Sequence, residues 1–257
     1  MTLSGLQPRE PNTPSVLTVI HSPKRVRVEA AGLIVAESDR ALLLRSNHFL
    51  PVYFFPPDAV SSGILSPSEK RSRHSLGEEI AYWDITVGDS RLKDAAWSFH
   101  APQLPVLQPL LDHVAIDWKS VDHWFEEAEE IFGHAKDPYA RIDVLDSTRH
   151  VEVLVAGERV AETKQPVLLF ETHLPTRYYL QPQDVRFDRL VPSQTKTRCP
   201  YKGIASYWSF TQDDGSLLAD VAWSYQDPLP EVSKIKGLIA FYPQHVDAIR
   251  VDGATAS

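Results

Sequence analysis

The sequence predicts a mainly β protein made of two tandem antiparallel β-sandwich or open-barrel domains. Three observations carry this expectation: the chain repeats itself, each repeat alternates polar and apolar residues, and helical patterning is thin. Shifting the 257-residue chain by 125 places Val26 on Val151, Ala31-Gly32 on Ala156-Gly157, and Leu43-Leu44 on Leu168-Leu169. The same shift places His48 on His173, Tyr53 on Tyr178 and Tyr82-Trp83 on Tyr207-Trp208. A one-residue slip brings Ala96-Trp97-Ser98 onto Ala222-Trp223-Ser224, and the first register returns at Val121-Asp122 on Val246-Asp247. A repeat this long means two domains, whereas solenoid units are far shorter.

The elements follow in order. Residues 1–23 are rich in Pro, Ser and Thr and read as a flexible arm; they lack the basic start and apolar run of a signal peptide. The first repeat spans 24–132. Arg25–Glu29 alternates as a half-buried strand does, and Ala31-Gly32 reads as a tight hairpin turn. Strands are expected at Ala41–Arg45, Val52–Phe55, Ile80–Val87 and Arg91–Phe99. Trp124–Phe132 fits either a short helix or an extended acidic strand, with Glu126–Glu130 as a solvated face. Residues 133–145 read as a connector. The second repeat, 146–252, carries strands at Val167–Glu171, Arg177–Leu180, Ala205–Thr211, Leu217–Tyr225, Leu238–Tyr242 and Val246–Val251, then a frayed tail from Gly253. Twenty prolines against eleven glycines suit many short elements joined by stiff turns. The four paired tryptophans are expected in the core.

Composition excludes several classes. A formal charge of −8 argues against nucleic acid as the main partner, because phosphate binding needs clustered cations. No stretch approaches the length of a membrane span. The single cysteine, Cys199, forbids an intramolecular disulfide, so a reducing cytoplasm is expected. There is no phosphate-binding Gly-Lys-Ser/Thr loop, no H-E-x-x-H, no cysteine pair and no G-x-S-x-G elbow, so neither a metal nor a cofactor is expected.

Chemistry concentrates in Thr195–Gly203. Arg198, Cys199, Tyr201 and Lys202 lie within five residues, and the flanking cations favour a thiolate and hence a nucleophile. The competing reading makes Cys199 a small inert core residue on a proline-stiffened turn. A second constellation is Phe170-Glu171-Thr172-His173 with Arg177-Tyr178-Tyr179; two residues apart on a strand, Glu171 and His173 would share a face and orient one another for acid–base work. Catalytic candidates are therefore Cys199, Lys202, Glu171 and His173. Arg198, Tyr201, Arg177, Tyr178 and Tyr207 are candidate substrate-binding residues. In the first repeat the loop becomes Arg73-His74-Ser75-Leu76-Gly77-Glu78, without thiol, phenol or lysine. There His48, Arg73 and His74, with Arg71, would suit an anionic or carbonyl ligand.

The run Arg177-Tyr178-Tyr179, then Thr197–Gly203, Tyr207-Trp208, Ala222-Trp223-Ser224-Tyr225, Ile239–Tyr242 and Val246-Asp247 resembles the domain of unknown function 427 family in its tandem form. The resemblance spans about residues 24–252. It implies two sheets leaning together, similar to the Mss4-like or β-tent group, and brings a nucleotidyltransferase-type label. Without that label, the inventory suits a cytoplasmic, cofactor-free enzyme acting on a small molecule: a lyase, isomerase, cyclase or hydrolase. The alternatives are a non-catalytic module for a small ligand or peptide, and nucleotidyl transfer.

Overall fold

The computed structural model describes residues 16–256. Two compact units divide the described chain at Asp137 and Pro138. Unit 1 contains β1 (Leu17–His21), β2 (Val26–Ala30), β3 (Leu33–Ser38), β4 (Leu42–Ser46), β5 (Val52–Phe55), β6 (Leu65–Arg73), β7 (Glu79–Val87), β8 (Ser90–Phe99), β9 (Val114–Ile116), β10 (His123–Glu126) and β11 (Glu129–Ile131). Unit 2 contains β12 (Ile142–Asp146), β13 (Val151–Val155), β14 (Glu158–Thr163), β15 (Val167–Glu171), β16 (Arg177–Leu180), β17 (Leu190–Cys199), β18 (Gly203–Thr211), β19 (Leu217–Tyr225), β20 (Ile239–Phe241), β21 (Ala248–Val251) and β22 (Ala254–Thr255).

Each unit pairs a seven-stranded with a four-stranded antiparallel sheet. The orders are β1-β4-β5-β9-β8-β7-β6 and β11-β10-β2-β3 in unit 1. In unit 2 they are β12-β15-β16-β20-β19-β18-β17 and β14-β13-β21-β22. These are the same topology strand for strand. None of the sheets closes into a barrel. Even the irregularities match: the ladder shifts at Pro67/Arg71 and Pro192/Lys196, and at Trp83/Ile85 and Trp208/Phe210. The slip between the tryptophans is absorbed in these hairpins, so Tyr82 pairs Trp97 as Tyr207 pairs Trp223.

Local chemistry explains the turns. Ala31-Gly32 and Ala156-Gly157 all have positive φ, between 49° and 79°, which the two-residue hairpin turn matching strand twist requires. In each unit the two sheets pack through an apolar layer. Val26, Val28 and Val35 meet Tyr53, Phe55 and Ile85 in unit 1; Val151, Val153 and Val160 meet Leu180, Phe210 and Phe241 in unit 2. The opposite face of each large sheet carries a second cluster, covered by the 3-10 segments Pro105–Leu110 and Pro230–Ile235.

Several boundaries differ from expectation. Leu17–His21, assigned to the arm, forms β1 against β4. Ile142–Asp146, mostly assigned to the connector, forms its counterpart β12 against β15. Residues 1–15 of the arm lie outside the described residues. The tail is paired where it is described, as β22 on β21. Trp124–Phe132 is neither a helix nor one strand but a hairpin, with Glu127 at φ 55° in its turn. The acidic run is not wholly solvated: Glu126 is buried, accepts a hydrogen bond from the Tyr53 hydroxyl at 2.8 Å, and pairs with Lys24. The connector does hold unit 1 together through Asp137, which accepts two hydrogen bonds from the Arg45 guanidinium at 2.7 and 2.9 Å. Of the paired tryptophans only Trp223 is fully buried; Trp83, Trp97 and Trp208 are half-buried. Among the described residues no helix is long and apolar enough to cross a membrane.

Candidate functional site

The segment read as a loop is a β-hairpin. Thr195–Cys199 end the edge strand β17, Pro200–Lys202 make the turn, and Cys199 pairs across to Gly203. The turn is tight because Gly203 adopts φ 99°; a Cβ there would meet the Asp227 carbonyl oxygen at 3.2 Å. That closeness lets the Leu229 amide donate to the Lys202 carbonyl at 3.2 Å, docking the segment before the 3-10 cover onto the hairpin. In unit 1 a side chain does this work: the buried Glu78 carboxylate accepts from the Gln103 and Leu104 amides at 2.9 and 2.8 Å.

Strand alternation gathers the candidate residues on the face of the large sheet that looks away from the small sheet. Glu171 on β15, Arg177 and Tyr179 on β16, Trp223 and Tyr225 on β19, and Tyr207 on β18 all project there, with Tyr242 just past β20. Lys202 reaches in from the turn. Its ammonium donates to the Glu171 carboxylate, with both side chains only 9% exposed, and lies 4.0 Å from the Cys199 sulfur. Arg177 holds its guanidinium 5.8 Å from the Trp223 ring centroid. Burial lowers its pKa, an effect that the Glu171 carboxylate opposes only in part. Burial likewise pushes the phenols of Tyr179, Tyr225 and Tyr242 well above the ordinary tyrosine value, so they stay neutral donors. Thr197, Tyr207 and Tyr242 form a hydroxyl chain with steps of 2.7 and 3.3 Å.

Other candidates are placed elsewhere. His173 is not on the strand: β15 ends at Glu171, and His173 occupies the following turn at φ 68°, while the Glu171 carboxylate is taken by Lys202. Strand alternation therefore does not set the direction of His173 relative to Glu171. Tyr178 faces the core between the sheets. Arg198 is exposed and, next to Cys199 on a strand, projects from the opposite face. Tyr201 sits half-buried in the turn. The sequence reading placed Tyr179 beside Arg177 without giving it a role, and it left out Tyr225, Tyr242 and Trp223, because buried aromatics on strands look like core.

Unit 1 does not assemble its expected anion site. Arg73 is exposed beside Glu79 at 3.8 Å, Arg71 donates to the Ser68 and Lys70 carbonyls, and His48 is exposed in the turn after β4. His74 instead packs among rings, 5.0 Å from Phe49, 5.4 Å from Phe99 and stacked on Trp97 at 6.0 Å. The rest of this face is Leu42, Leu44, Phe54, Leu107 and Leu110. Burial lowers the pKa of His74, so the folded unit resists its protonation. Below the ordinary histidine value the unfolded chain binds a proton that the folded one refuses, so stability falls as pH drops through that window. Urea midpoints from pH 7.5 down to 5 are expected to fall less steeply in His74→Phe than in the parent. Parallel slopes would refute this.

Two open clefts flank β14, lined by Glu158, Arg159, Glu162, Asp184 and Arg186 among others, away from Lys202. Beside them His150, Glu152 and Glu162 bring three ligand atoms together, the one such cluster among the described residues. Arg159 already spans both carboxylates at 3.1 and 2.9 Å. These groups satisfy one another, whereas those around Lys202 converge on one sheet face.

The model of the family described as domain of unknown function (DUF427), NTP_transf_9, matches twice, over residues 18–127 and 143–252. The chain belongs to the DUF427 family. It is a tandem member, and each match covers one structural unit. A search of curated proteins finds no match. Within this DUF427 pair, both copies keep the hydroxyl link at the hairpin: Ser72 to Tyr82 at 3.0 Å in unit 1, Thr197 to Tyr207 at 2.7 Å in unit 2. What differs is the neighbouring face. Ser46, Val52, Phe54, His74 and Phe99 stand in unit 1 where Glu171, Arg177, Tyr179, Cys199 and Tyr225 stand in unit 2.

Proposed function

We propose that unit 2 is a small-molecule enzyme of the cytoplasm, working on the outer face of its large sheet without a cofactor, and that unit 1 is its scaffold. The observation that carries this reading is the contrast between two copies of one fold. Identical topology shows that the face can be filled with apolar side chains and still fold. Unit 2 nevertheless keeps a carboxylate, two cations, a thiol and four phenols there. Burying such groups is costly, and an apolar set of similar volume is often as stable or more so. Their retention fits a site where Glu171 and Lys202 exchange a proton with substrate, Arg177 and the phenols bind it, and Cys199 borders the reacting centre.

The chain's only thiol makes a local reporter. Iodoacetamide alkylation of Cys199, read by mass spectrometry, is followed while a panel of small carboxylic acids, carbonyl compounds and sugar phosphates is added. At least one compound is expected to slow labelling and raise the melting temperature, and to lose both effects in Arg177→Met. If no compound protects Cys199, or if protection survives Arg177→Met, the site reading fails. A compound whose effect needs His74 instead would move the site to unit 1.

A further inference from the structure

We infer that Lys202 is an imine-forming lysine, and that the substrate of this site is an aldehyde or ketone carrying a carboxylate, a 2-oxo acid being the simplest form. The inference rests on the reading of this face as a small-molecule site and adds the bond that is made there. Among the described residues Lys202 is the one buried lysine. Its ammonium is held by Glu171, and the carboxylate and ammonium are both shielded from water. An exposed lysine stays a solvated cation. The Glu171 carboxylate, in contact with the ammonium, is placed to take a proton from Nζ as a carbonyl substrate arrives. That frees the amine lone pair beside a group ready to return the proton, which is what attack on a carbonyl carbon requires.

The step balances without an oxidant. The ammonium proton moves to Glu171, and the neutral Nζ forms a bond to the carbonyl carbon as the C=O π bond breaks. The oxygen takes one proton from the attacking Nζ, giving the carbinolamine, and a second from Glu171; the C–O bond then breaks and the oxygen leaves as water. The sum is ammonium plus carbonyl giving protonated imine plus water. Arg177 projects from the same sheet face as Glu171, beside Trp223, and its guanidinium has the planar fork that suits a carboxylate. Tyr179, Tyr225 and Tyr242, kept neutral, can donate to the departing oxygen without adding charge. Lys196 serves as an internal control: it lies on the same hairpin but is exposed, donating to Ser206.

The test uses the full chain, sodium pyruvate as probe and sodium cyanoborohydride to reduce any imine to a stable secondary amine. Peptide mass spectrometry is expected to place the adduct on Lys202, in clear excess over Lys196. Glu171→Gln cannot take the proton and is expected to slow trapping about a hundredfold. Lys202→Arg keeps the charge that balances Glu171, so it is expected to stay folded and to abolish the adduct there. An adduct spread evenly over surface lysines, or none on Lys202, overturns the inference. In that event the alkylation rate of Cys199 separates the two readings: protection by pyruvate or any other compound of the panel without an imine leaves the binding site standing, and absence of protection by the whole panel removes that too.

Discussion

Lys202→Met alone is expected to destabilise unit 2 by about 3–5 kcal/mol, and Glu171→Leu alone by a similar amount. Each leaves the other charge enclosed without its counterion. The double variant Lys202→Met/Glu171→Leu is expected to return to the parent value or exceed it by about 1–4 kcal/mol, because two desolvation penalties vanish together. The exposed pair Lys234–Asp146, at 2.9 Å with side chains 52% and 78% exposed, supplies the contrast. Breaking it should cost no more than about 1 kcal/mol. Urea unfolding decides, followed by fluorescence from Trp208 and Trp223, with the four unit 1 tryptophans replaced by phenylalanine if the transitions overlap. Single losses below about 1 kcal/mol would show that water reaches the pair and that it is an ordinary surface bridge. The double variant also separates stability from function. If it folds as well as the parent and no longer protects or labels at the site, the ion pair is kept for chemistry and not for the fold.

Much of this architecture is legible because the chain carries its own comparison. The 125-residue register located both units, and it places Leu17 on Ile142, the first residues of β1 and β12. Those strands were missed because LTVIH and IDVLD share only Val19 and Val144. The edge strands β6 and β17 were missed for a different reason. Their sequences, LSPSEKRSR and LVPSQTKTRC, are polar and contain proline. An edge strand with solvent beside it needs no apolar alternation, and charge and proline there discourage pairing with other chains. Within the site, Glu171, Arg177, Cys199, Lys202 and Tyr207 were named from sequence and do converge. The pairing of Glu171 with Lys202 was not visible, because 31 residues separate them and only the β15–β16–β20–β19–β18 order brings them together. The phenols had a usable signal: Phe54 against Tyr179 and Phe99 against Tyr225, the same positions differing by one hydroxyl between copies.

Trp223→Ala is expected to cost about 3–5 kcal/mol, as removal of a fully enclosed large ring does when its surroundings cannot collapse. Trp223 is 5% exposed. Its ring lies 4.2 Å from that of Tyr242, its indole N–H donates to the Tyr179 hydroxyl at 3.3 Å, and the Arg177 guanidinium sits over it. Rings on strands on either side fix the cavity, so little can move in to fill it. Trp223→Phe keeps most of the packing and removes the donor, so it should cost less, with about 1–3 kcal/mol from the unpaired Tyr179 hydroxyl. Trp97 occupies the equivalent place in unit 1 but is half-buried among Phe54, His74 and Phe99. Its alanine variant should therefore cost less than that of Trp223, since part of the ring already faces water. The ordering matters more than the absolute values. Because the units share a topology, a difference between equivalent tryptophans measures what surrounds them. If Trp97→Ala proves the costlier, the unit 2 face is looser and wetter than its burial implies, and Lys202 would then lie in water, where neither its ion pair nor its imine chemistry would be favoured.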